Sequence, residues 1–131
     1  MKKILFALAI PLLFTACDPE GGQQVSTVET IVSNVELPDT VEFGDTIKVA
    51  MTYQIFNDCG VYAGTDATRN GNSILIRPFV TYTYNSDSPC PEKITSGEET
   101  VSFKPEAAGK YVFFFRRKQN AAYSPDTVVV K

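Results

Sequence analysis

Thr46-Ile47-Lys48-Val49-Ala50-Met51-Thr52-Tyr53-Gln54-Ile55-Phe56 decides the fold class. Ile47, Val49, Met51, Tyr53 and Ile55 point one way, while Lys48, Ala50, Thr52 and Gln54 point the other. A period of two describes a β-strand with one face on a core and one in water, the usual state of an antiparallel sheet.

The same signal recurs on both sides of this stretch. Toward the N-terminus, Val28, Thr30 and Val32 alternate with Glu29, Ile31 and Ser33. Val35 and Leu37 then lead into a Pro38-Asp39 turn, and Val41 and Phe43 into Gly44-Asp45. Toward the C-terminus, Asn57-Asp58-Cys59-Gly60 breaks the period, and small polar residues through Asn70-Gly71-Asn72 read as a long loop. Ile74 to Tyr84 is β again, with Pro78 marking a bulge or an edge. Residues 85–91 carry two prolines and Cys90 and read as a second loop. Thr100–Phe103, Tyr111–Arg116 and Thr127–Val130 are the remaining strands, and no stretch has a helical period. The expectation is an all-β domain over residues 27–131, a single antiparallel two-sheet sandwich of about seven or eight strands.

One segment narrows that class. Glu106-Ala107-Ala108-Gly109-Lys110-Tyr111-Val112-Phe113 resembles the turn into the sixth strand of an immunoglobulin-like domain. There a small residue or glycine stands two before a tyrosine whose hydroxyl folds back onto the turn. Phe113 stands where antibody domains carry a cysteine, and the chain has no tryptophan. The resemblance implies an immunoglobulin-like sandwich in the broad architectural sense.

The N-terminus speaks of location. Lys2 and Lys3 precede an apolar run from Ile4 to Phe14, broken only by Pro11, which is too short to span a bilayer. Thr15-Ala16-Cys17 after that run resembles a bacterial lipobox, as in the small envelope lipoproteins of Bacteroides-type bacteria. The resemblance implies a lipoprotein signal peptide over residues 1–16 and acylation of Cys17. It implies a lipidated flexible tether over 17–26 and attachment to the lipid membrane, the outer membrane of the cell envelope, on its periplasmic or surface face. An ordinary signal peptide with an incidental cysteine is the alternative.

The chain has 131 residues, twelve of them basic and fifteen acidic. Loss of residues 1–16 removes Lys2 and Lys3 and leaves a formal charge of −5 on one domain. Such a balance disfavours nucleic acid as a partner. With Cys17 on lipid, Cys59 and Cys90 remain as an even pair in an oxidising compartment, which favours a disulfide over two free thiols or half of a metal site. The absence of histidine argues against zinc and removes the Ser–His–Asp and Cys–His arrangements. No carboxylate pair is marked for acid–base work, so the reading is not an enzyme, with no metal and no cofactor.

Candidate binding residues are therefore sought in the two loops, 57–72 and 86–91, since a sandwich spends its strands on the core. Tyr62, Asp66, Arg69, Asn70 and Asn72 are the expected contact group. Asn57, Asp58 and the same loop carboxylate and amides could also be turn formers or hard-cation ligands. Arg116-Arg117-Lys118 could grip an anionic glycan or guard a strand end. Exposed tyrosines on a sandwich suit sugar rings, and most such residues also serve as core. Thr40, Thr46 and Thr127 each follow an aspartate and precede an aliphatic residue, which resembles the O-glycosylation acceptor of Bacteroides-type bacteria. The expected function is noncatalytic binding or scaffolding at the envelope, for a glycan or a protein partner. The alternative is a purely structural subunit of an envelope assembly.

Mass spectrometry of the membrane-extracted protein should find a mature chain beginning at an acylated Cys17. Cys17→Ser should move the protein into the soluble fraction, and unchanged membrane partition would refute the anchor.

Overall fold

The computed structural model describes residues 22–131. The expected signal peptide (1–16), the lipidated Cys17 and the first half of the tether lie outside the described residues. Nine strands follow in chain order: β1 (Gln24–Glu29), β2 (Val32–Glu36), β3 (Thr40–Val41), β4 (Ile47–Asn57), β5 (Gly60–Asn70), β6 (Ser73–Tyr84), β7 (Glu92–Phe103), β8 (Gly109–Phe115) and β9 (Ser124–Val130). No helix occurs among the described residues. The strands form two sheets, one in the order β2-β4-β7 and the other in the order β1-β6-β8-β9-β3, with β5 also paired to β6.

The alternation read in β4 sets its orientation. Ile47, Val49, Met51 and Tyr53 are buried and Lys48 is exposed. Ile47, Val49 and Met51 share one core with Tyr111, Phe113 and Phe115 of β8, Ile74 and Ile76 of β6, and Val128 and Val130 of β9. Full burial of a side chain of this kind contributes roughly 1.5–3 kcal/mol. A one-residue slip would turn each such set to solvent, so burial fixes the register of every core strand. The turn before β8 has the expected form. Gly109 takes φ 141°, and the buried Tyr111 donates its hydroxyl to Ala107 O at 2.8 Å.

Several expectations change. β1 and β2 look like one alternating run, yet they belong to different sheets. Thr30, buried between them, donates its N–H to Pro78 O at 2.9 Å and its Oγ1 to Gln54 O, while Ile31 O accepts from Gln54 N–H. The chain therefore steps from one sheet to the other at residues 30–31. β1 also begins at Gln24, inside the stretch expected as tether to residue 26.

The loop expected through residue 72 is largely β5, and β7 starts at Glu92 rather than Thr100. β5 and residues 92–99 of β7 lack apolar alternation and are held by long backbone ladders: β5 to β6 from Gly60↔Tyr82 to Asn70↔Ser73, and β7 to β4 from Glu92↔Asn57 to Phe103↔Ile47. Gly97 in β7 lies beneath Tyr53, where a Cβ would collide with the tyrosine ring and hydroxyl. These additions and the split of the first run raise the strand count to nine.

The sheets are not wholly antiparallel either, since β3 runs parallel to β9 and β6 parallel to β8. Pro78 sits inside β6 without a cost to the ladder. β8 pairs with Ser73–Leu75 and β1 with Phe79–Tyr84, so the missing N–H falls between the two partners on that edge.

Cys59 and Cys90 are joined, with their Cα atoms 5.5 Å apart and a separation of 31 positions in sequence. Replacing both by alanine should lower the unfolding free energy by about 3–4 kcal/mol, the loop-closure value for this span. Urea midpoints read this directly. Two freely alkylated thiols in the native protein would rule the bond out.

Candidate functional site

The five residues expected in one binding loop do not come together. Pairing along β5 makes its side chains alternate. Tyr62, opposite the buried Val80, and Arg69, opposite the buried Ile74, share the inner face. Asp66, opposite Arg77, and Asn70, opposite Ser73, share the outer one. Asn72 lies in the two-residue turn after β5, behind Gly71 at φ 62°, and its carbonyl accepts from Val112 N–H.

Tyr62 and Arg69 each lie against an aromatic ring. The Tyr62 ring stacks on Tyr53 at 4.5 Å between centroids, and its hydroxyl lies 2.6 Å from Thr65 Oγ1. Burial pushes the Tyr53 hydroxyl above its ordinary range, and the nearby Glu99 carboxylate adds to that. The Arg69 guanidinium lies 5.0 Å from the centre of the Phe103 ring and 3.4 Å from Glu106, closing the side of the core. Thr40, Thr46 and Thr127 are all exposed, Thr40 opening β3, Thr46 just ahead of β4 and Thr127 within β9. Of the basic cluster, Arg117 donates to Asp126 at 3.0 Å.

Arg116 is where polar chemistry gathers. β1 and β8 meet β6 along one edge from opposite directions, Glu29 standing opposite Phe79 and Phe114 opposite Leu75. Their ends converge on the middle of β6. There the Tyr123 hydroxyl donates to Glu29 Oε2 at 3.0 Å and accepts from Arg116 Nη2 at 3.1 Å. Arg116 Nη2 is 3.7 Å from Glu29 Oε2, and its guanidinium carbon lies 4.8 Å from the Tyr123 ring centre. On the same sheet face Arg77 is held by Asp66 at 2.7 Å. That hydrogen bond raises its pKa, and Tyr123 and Glu29 are near enough to add to the effect.

This corner is incompletely satisfied. Among the described residues, the buried side-chain atoms without a hydrogen-bond partner are Glu29 Oε1, Arg77 Nε and Arg116 Nε. All three belong to this neighbourhood. A buried polar atom left unpaired costs about 1–3 kcal/mol, more when it is charged. Beside it opens a cleft of about 280 Å3. Val28, Ile31 and Phe56 supply its apolar wall, and Glu29, Arg116, Gln119 and Asn120 its polar one. A smaller depression of about 130 Å3 on the outer face of β2-β4-β7, among Asn34, Glu36, Thr52 and Glu98, holds none of the unpaired atoms.

Sequence reasoning missed this site because Glu29 and Tyr123 are 94 residues apart. The basic cluster at 116–118 was its one visible sign. No protein-family model, curated protein or solved structure matches the chain.

Tyr123→Phe removes the hydroxyl that bridges Glu29 and Arg116 and should lower stability by about 1–3 kcal/mol. Urea denaturation should show this as a lower midpoint with an unchanged slope. An unaltered midpoint would mean that solvent replaces the bridge without cost.

Proposed function

We propose that this protein is a noncatalytic envelope lipoprotein that binds a ligand at the Glu29–Arg116 corner. In this reading residues 1–16 are removed, acylated Cys17 anchors the chain in the outer membrane, and a short tether carries an immunoglobulin-like sandwich. Support for the immunoglobulin-like form comes from the Tyr111 hydroxyl bonded back to Ala107 and from β3 crossing to lie parallel to the last strand. The parallel β6–β8 pair is a departure from that form.

One observation carries the binding role: the cleft sets Glu29, Arg116, Gln119 and Asn120 against an apolar wall of Val28, Ile31 and Phe56. Structural ion pairs in small domains are normally satisfied among themselves. A few polar groups converging beside an apolar wall are the usual make-up of a ligand site. The partner is a glycan or an envelope protein, and a lipid-tethered position would hold the domain where both are abundant.

A scaffolding reading has its own observation. Val25 is 59% exposed and Val61 67% exposed. They stand opposite Thr83 and Thr81 on one outer face of the larger sheet, two exposed apolar side chains available for assembly.

The two readings separate experimentally. A glycan array and an envelope-extract pull-down, run with wild type and Glu29→Gln, should show a retained component that the variant loses. Light scattering on Val25→Lys/Val61→Lys should show an unchanged monomer. Retention insensitive to Glu29→Gln, together with an assembly that the double variant dissolves, would replace ligand binding with scaffolding.

A further inference from the structure

Resting on the binding reading above, we infer that the cleft takes one neutral sugar ring, with its hydroxyl edge on Glu29, Arg116 and Gln119 and its C–H face on Phe56 and Ile31. The first argument is charge. The cleft holds one carboxylate and one guanidinium 3.7 Å apart, so its walls carry no net charge to concentrate an ion. An anionic ligand would meet the Glu29 carboxylate, whose side chain is only 14% exposed, with little water to screen the repulsion. A cationic one would meet Arg116 in the same way.

The second argument is hydrogen-bond grammar. A carboxylate only accepts and a guanidinium only donates, whereas a hydroxyl does both. Adjacent hydroxyls on one ring can donate to Glu29 and accept from Arg116 at once, making two charge-assisted bonds without adding charge. The amides of Gln119 and Asn120 offer a donor and an acceptor each to the remaining hydroxyls.

The third argument is shape. A pyranose has a polar edge and an apolar face, and this cleft sets a polar wall against Val28, Ile31 and Phe56. At about 280 Å3 it falls just below the ~300–1,000 Å3 typical of drug-sized sites, which suits one ring rather than a run of several.

Saturation-transfer NMR on the detergent-solubilised full-length protein tests this with the methyl glycosides of glucose, galactose and mannose, with methyl glucuronide, and with N-acetylalanine amide. At least one neutral glycoside should receive saturation at its ring C–H protons. Its affinity should fall about tenfold in Glu29→Gln and several-fold in Gln119→Ala, an exposed position whose change leaves the fold intact. Circular dichroism and melting curves on each variant separate lost binding from lost folding. Preference for the glucuronide or the peptide amide would overturn the neutral-sugar assignment and leave a Glu29-dependent binding site standing. Glycoside binding unaffected by both variants would overturn the location. No glycoside binding, together with an envelope component still retained through Glu29, would overturn the sugar alone. Absence of both would overturn the binding reading as well.

Discussion

The molecule depends on burying the apolar face of β4 in a core dominated by three aromatic side chains of β8. Tyr111, Phe113 and Phe115 are each fully buried, and Ile47, Val49 and Met51 share their core. Aromatic side chains remove large areas from water, so this central seam dominates the favourable side of folding. β7 joins it through Phe103, whose ring stands edge-on to Phe113 at 5.7 Å and tilted to Tyr111 at 5.6 Å. The one polar group that Tyr111 carries into this seam is satisfied by Ala107, so the ring is buried without stranding its hydroxyl.

That seam leaves β6 with a divided edge, and the polar corner is a consequence of the division. β8 occupies the start of the edge and β1 its end, with Pro78 at the junction where no ladder donor is needed. Two strands meeting end to end bring their terminal side chains together, so Glu29 and Arg116 become neighbours. The step at Thr30–Ile31 then carries the chain to the opposite sheet, placing Ile31 and Phe56 against the same cleft. The corner is thus built from positions where regular structure stops. Three side-chain atoms of this neighbourhood, on Glu29, Arg77 and Arg116, are buried without a hydrogen-bond partner.

The regions of strongest sequence pattern proved to be the core, and the weakly patterned ones carried the surprises. β4, β6 and β8 were legible because burial on one face selects alternating apolar residues, as Ile74, Ile76, Val80 and Tyr82 also show. β5 and most of β7 were not, because an edge strand can be held by its backbone ladder while its side chains stay small and polar. Asn-, Asp- and Gly-rich composition near Cys59 therefore read as loop. The Cys59–Cys90 link followed from simple parity after one cysteine was assigned to lipid, and the structure joins these two residues.

Local spacing carries the all-β class, the inward faces of the central strands and the Tyr111 turn. Which strands are neighbours, that two of the pairings are parallel, and that Glu29, Arg116 and Tyr123 meet all follow from the closed fold. The reason is that strand pairing uses backbone groups common to every residue, so it leaves no local mark on the sequence. A contact across 94 residues exists only once the two sheets have closed on their shared core.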